Sequence, residues 1–449
     1  MLMRLRRGTS ETLNLSGGSG TILGCTYLDA AADAETEEVT ETIEVVLEGT
    51  AANVLADERQ IERWLEEARR FQEEGNGERV WLEMDVVGSG DWQRSEVLGG
   101  MVTRGTSMRM LLGGQIQIGV QVRRRNWWEA YNETSVALSN GNGTNVTTGL
   151  AVFNGSDGSG SAPAMRHNYA QIGAGVIGGT IPAPARLELT NTYASSSGLE
   201  DIWVGHNFSS DPANLAHVLE AEAATGGTTT ASASSSGGYF KLVSVSEGSE
   251  QTLLSWALST TLLSAARGRY FGVMMRRALG LDTGAQYRLK LKDGASVVWS
   301  GGLSLVENAN RLINLLDVAQ LPPWLPGIGG VRGLTLELSG ARIGTGSLSV
   351  YVDFLMLMAL DSHRQFKRIG AGLDQNRKLI DDPVDGVMTS DSSGGLLSGD
   401  FVATGPGIWL VPNVLQRVYF MMHGITVADG PIDRSLSVVV KYRARRLRL

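Results

Sequence analysis

Few residues of this 449-residue chain have the types and spacing that chemistry needs. His167, His206, His217, His363 and His423 are scattered, without the spacing that lets imidazoles converge on one metal ion, and they read as turn or packing residues. There is no His-Glu-x-x-His, Gly-x-Ser-x-Gly or Gly-x-x-x-x-Gly-Lys. One Gly-x-Gly-x-x-Gly occurs at Gly173, Gly175 and Gly178, but Gly179-Thr-Ile-Pro-Ala-Pro184 follows it and cannot begin a nucleotide-binding helix. Glu200 and Asp201 are the carboxylate types used in glycoside hydrolysis, yet neighbours on a strand point to opposite faces. Tryptophan says more. Of the ten, Trp64 and Trp81 sit on patterned faces and read as core, while Trp127-Trp128 and Trp324 lie where exposure is expected. An exposed indole can stack on a sugar or bury at a subunit contact, with core packing as the competing reading. Trp324, on the rigid loop Leu321-Pro-Pro-Trp-Leu-Pro326, is the candidate glycan-binding residue.

Composition narrows the class. Gly is abundant at 57 residues, Pro scarce at 11, and charged residues are only 19%, which suits an all-β protein with many turns. A net charge of −8 argues against a general nucleic-acid binder. Arg4, Arg6 and Arg7 open the chain and Arg443, Arg445, Arg446 and Arg448 close it, while the stretch from Asp29 to Glu74 is acidic. That asymmetry serves solubility or matches a basic surface to an acidic one on a neighbouring copy. Cys25 is the only cysteine, so no internal disulfide is possible. Met1 to Ser16 lacks an apolar core of the secretory kind, and the apolar run Phe354 to Leu360 is far shorter than the ~20 residues of a membrane helix. The expectation is folding in a reducing cytoplasm with no membrane insertion. The Asn-x-Ser/Thr triplets at Asn132, Asn142, Asn145, Asn154 and Asn207 then read as chance matches.

The elements that would position any site are mostly strands. Glu41–Glu48 alternates and then runs apolar, and Ile61, Trp64, Leu65, Ala68 and Phe71 recur at helical spacing. This predicts a helix over about 53–73, capped by Asn53 or Asp57 and ended by Gly75-Asn-Gly77. Arg79–Val87, Ser95–Thr103 and Gln115–Val122 follow as strands, the last with one wet face and suited to a sheet edge. One helix cannot cover both faces of such a sheet, so the sheet closes on itself or packs on another. Residues 126–211 form a Gly/Ser/Asn-rich β insertion, and Thr225–Ser236 reads as a loop. Regular short strands over 212–362 suggest a β-sandwich. The final strands, within 363–449, have no sheet of their own and are expected to complete a barrel begun by residues 1–125.

Two resemblances extend this reading. Val218-Leu-Glu-Ala-Glu222, a polar loop, Ser236-Gly-Gly-Tyr-Phe240 and Tyr351-Val-Asp-Phe-Leu355 resemble the opening and closing motifs of galactose-binding-like carbohydrate-binding jelly rolls, over about Ala216 to Leu360. The resemblance implies a structural calcium held by Glu220, Glu222 and Asp353, since oxygen ligands suit a hard cation. The outer unit resembles distal-tail and tail-tube proteins of long-tailed bacteriophages. Its carriers are the order strand, helix, strands from Glu41 to Val102 and the terminal Lys441-Tyr-Arg-Ala-Arg-Arg-Leu-Arg-Leu449. That family forms hexameric rings whose lumen passes DNA, beside a galactose-binding-like domain.

The combined expectation is a mainly β chain: a discontinuous tail-protein β-barrel or sandwich with one flanking helix and an inserted jelly roll. It would be a non-enzymatic virion component, assembled in the host cytoplasm with copies of itself and other tail proteins, and meeting DNA only as lumen content. The alternative is a glycan-binding adhesin or lectin-like module that recognises a host surface polysaccharide.

Overall fold

Period-two alternation dominates the first 130 residues, and in the computed structural model it becomes a continuous antiparallel sheet. The structure describes residues 1–17, 20–27, 36–104, 115–140, 146–155, 167–194, 198–209, 218–259, 262–263, 268–278, 284–305, 312–320, 333–393, 399–424 and 434–449. Mainly β overall, the chain divides into two compact units, each continued after an interruption.

The first unit comprises Met1–Thr134, Gly178–Pro182 and Arg443–Leu449. Its elements are β1 (Leu2–Arg7), β2 (Glu11–Asn14), β3 (Ile22–Tyr27), β4 (Glu38–Glu48), α1 (Ala51–Glu74), β5 (Val80–Asp85), β6 (Gln93–Arg104), β7 (Gln115–Arg125) and β8 (Trp128–Ala130). The sheet order is β2-β1-β5-β6-β7-β4-β3, with β8 on β6 and Arg445–Arg446 on β8. The sheet curls. Cys25 Sγ in β3 lies 3.9 Å from Met3 Sδ in β1, although four strands separate them along the sheet. The concave side collects Met3, Leu5, Val45, Leu82 and Val120, and α1 adds Ile61, Trp64 and Leu65 to the same core.

Two local expectations are corrected. The helix begins at Ala51 and is capped by Thr50, whose Oγ1 accepts from Asn53 N–H at 3.4 Å; Asn53 and Asp57 lie inside it. Thr50 takes the role because β4 ends at Glu48 and the chain turns at once into the helix. β7 is not an edge: it pairs with β4 along its whole length and with β6 on its other side. Its wet residues lie on one face of a central strand. Close helix packing over β6 explains Gly100, where a Cβ would overlap Gln121 O and sit 3.2 Å from Leu65 Cδ2.

The second unit comprises Ser135–Ile177 and Ala183–Tyr442. Here the expected completion of the N-terminal barrel by residues 363–449 is corrected. Ser435–Tyr442 pairs with Ala183–Asn191, and Leu415–Gly424 pairs with Leu199–Ser209 over ten residues. Only Arg443–Leu449 belongs with the first unit. The reason is burial: Val418–Met422 are buried on both faces, so that strand needs a central position, which the 126–211 segment supplies. Val218–Ala359 forms a two-sheet sandwich. One sheet runs Thr228–Ala231, Tyr239–Ser246, Ser347–Ala359, Tyr270–Arg277, Ile313–Gln320, with Val218–Glu220 also on Ser347–Ala359. The other runs Gln251–Ala257, Leu334–Arg342, Ala285–Asp293, Ser296–Ser300. Trp256, Phe271, Tyr287, Leu338 and Val352 share the core between them. The segment expected as a loop over Thr225–Ser236 contains the edge strand Thr228–Ala231.

Candidate functional site

The carboxylates singled out in the sequence come together in this sandwich, and the strand order explains why. Asp353 sits on Ser347–Ala359, between Val218–Glu220 and Tyr270–Arg277. The registers set both Glu220 and Arg276 opposite Phe354, one residue from Asp353. A register break between Arg276 and Arg277, and the 3-10 turn that begins right after Glu220, release these side chains from strict alternation, so that Arg276 reaches Asp353 and Glu220 shares Ser236 with it. A 3-10 turn, Ala221–Ala223, carries Glu222. A second, Ser236–Gly238, lays Ser236 over the pair: its N–H donates to Asp353 Oδ1 at 2.9 Å and its hydroxyl to Glu220 Oε1 at 2.8 Å. Gly237 has φ +62°, and a Cβ there would overlap Glu222 Oε1, which accounts for glycine at that position. Trp256 Nε1 donates to the Glu220 carbonyl at 2.9 Å and ties the second sheet to the site.

Arg276 ion-pairs with Asp353 Oδ2 through Nη1 and donates from Nη2 to Ser234 O at 3.3 Å. The pair is sealed, with side chains 1% and 0% exposed. Burial, then the charge of Asp353, pushes the Glu220 carboxyl up to about 8 against the opposing Ser236 hydrogen bond. Burial raises Asp353 to about 6, with Arg276 pulling the other way. Glu222 is also raised by burial, and Lys241 acts on it in the opposite sense.

The fold thus brings the three expected calcium ligands into one neighbourhood, but the donor set does not fit a hard dication in this arrangement. Glu220 Oε2 and Glu222 Oε2 are buried without a hydrogen-bond partner, which alone would suit an ion. What decides is Asp353, whose charge is already balanced by the buried Arg276 guanidinium, a cation that would repel a second one at the same carboxylate, while Ser236 N–H holds its other oxygen. Among the described residues no set of three or more His, Cys, Asp or Glu side chains converges as metal ligands. Sequence reasoning missed Arg276, Ser236 and Lys241. The signal for Arg276 was present: Arg276-Arg277 closes the apolar strand Tyr270–Met275, where two charges must find partners.

The other candidates divide. Trp324 lies outside the described residues. Trp128 is fully buried beneath the Arg124 guanidinium, 4.4 Å from the ring centroid, and Trp127 packs under Arg445 at 4.7 Å. Both therefore belong to the packing of the first unit. The basic ends also find acidic partners there: Arg4 meets Glu83 at 2.6 Å, Arg7 meets Glu67 at 2.8 Å and Arg445 meets Glu129 at 3.2 Å. His206 is sealed between Ser362 Oγ and Gln416 Oε1, at 2.9 and 3.0 Å, and burial lowers it to about 4, which suits a neutral structural imidazole. Asn154 and Asn207 are buried, so their triplets offer no acceptor to a glycan. No helix among the described residues is long and apolar enough to cross a membrane.

Comparison with models of known protein families finds no match to this chain, and none of the curated proteins matches it.

Proposed function

We propose that this chain is a structural, self-assembling component of a bacteriophage tail, of the distal-tail, baseplate or tail-tube kind, which displays the Val218–Ala359 sandwich. The observation that carries the reading is the first unit, a curled sheet around one helix whose terminal strands β2 and β3 each pair on one side only among the described residues. An open strand side presents N–H and C=O groups that a strand of another copy can satisfy. Repetition of such a contact around an axis closes a ring, hexameric by the resemblance. With β7 central, any lateral pairing falls to these terminal strands. The discontinuous first unit, in which Gly178–Pro182 and Arg443–Leu449 join Met1–Thr134, also supports the reading, because the rest of the chain is inserted between its segments.

Negative-stain electron microscopy of the purified chain, with its native mass in solution, tests this. Rings with a central hole, or stacks of rings, are the expected result. A strict monomer at high concentration would count against self-assembly and move glycan binding to first place.

A further inference from the structure

The cation built into the carboxylate cluster carries an inference that does not depend on the tail reading. Asp353 and Arg276 are both sealed from solvent, on adjacent strands, with an ion pair between them. Arg276 reaches on to Ser234 O, while Asp353 holds Ser236 N–H. The guanidinium therefore ties the central strand to the loop that precedes the Gly237-Gly238 turn. An ion bridging carboxylates from the two ends of the Val218–Ala359 segment would make that same cross-link.

We infer that Arg276 takes the electrostatic place of a structural dication in this sandwich, so that the module closes around its own guanidinium and needs no metal. A metal ion entering at Asp353 would have to displace Arg276 and leave a buried cation without its counter-charge.

Metal content and thermal melting of the purified full chain test the inference. Expected are no stoichiometric calcium or other metal, and a melting temperature unmoved by chelator or by millimolar CaCl2. One bound metal per chain, or a fall in melting temperature with chelator, would overturn it. In the variant Arg276→Gln the melting temperature should fall, and CaCl2 should restore part of the loss because an ion can then enter beside Asp353. Adding Asp353→Asn should abolish that recovery. Arg276→Gln melting like the parent, or failing to recover with CaCl2, would also count against the inference. Should Arg276→Gln fail to fold, metal content and chelator response of the unaltered chain still decide the matter.

Discussion

Arg124 and Glu41 show how a single ion pair can specify a strand position. The two side chains meet at 2.6 and 2.8 Å, are 2% and 1% exposed, and take Tyr27 as a third member, its hydroxyl donating to Glu41 at 2.9 Å. Breaking a buried pair leaves one charge uncompensated, so Arg124→Met should lower stability by about 3–5 kcal/mol in denaturant melts. The double variant with Glu41→Gln should cost clearly less than the sum of the two single changes. Glu220 predicts a pH signature. Its carboxyl binds a proton in the folded state up to about 8 but releases it near the ordinary 4.5 when unfolded. Folding therefore takes up a proton between those values, and stability falls as pH rises through that window. Glu220→Gln, which copies the protonated form, should flatten the slope: the variant and the parent should melt alike near pH 5, and the parent should melt several degrees lower near pH 8. Parallel pH profiles would contradict the assignment. At this scale the residue types were legible but their partners were not. Glu220, Glu222 and Asp353 could be picked out from the chain, whereas Arg276 could be recognised as the counter-charge only once the strands flanking Asp353 were known.

Elements were read more successfully, because hydrophobic period is a local property. Glu41–Glu48, the helix through Trp64, and Tyr239–Val245 all fall inside the observed elements β4, α1 and Tyr239–Ser246. The misreadings concern neighbours. β7 alternates like an edge strand, yet its polar face is only partly exposed and both its backbone sides are paired. Alternation reports which face is buried and carries no information about hydrogen bonding along the two sides. The helix–sheet contact allows a direct test. Trp64 is 1% exposed in the core that α1 shares with the sheet, so Trp64→Ala should cost about 3–5 kcal/mol. Gly100→Ala should also destabilise, because its methyl group would meet the Gln121 carbonyl across the β6–β7 pair and Leu65 on the helix. A Gly100→Ala variant as stable as the parent would mean that β7 and α1 do not approach β6 as closely as described.

For the whole molecule, the informative feature is where the chain leaves each unit and where it returns. The first unit is closed by its last seven residues: Arg445–Arg446 pairs with β8, and Arg445 salt-bridges Glu129. Deleting residues 443–449 should therefore raise amide hydrogen exchange in Trp128–Ala130 and lower the stability of the first unit. Exchange across Ser347–Ala359, in the sandwich of the other unit, should stay as it was. Equal loss of protection in both would show that the two units unfold as one.

By itself the sequence determined the class of structure. Its alternating runs, one helical stripe and abundant turn residues leave a mainly β chain with a single long helix as the consistent reading, because each of these signals acts within a few residues. Only the tertiary structure decided which strands are neighbours: Leu415–Gly424 lies beside Leu199–Ser209, and Arg276 beside Asp353. Pairing joins segments up to about 320 positions apart in the chain, as between Trp128 and Arg446, and its free energy depends on burial and charge balance summed over both partners. No local pattern encodes that sum.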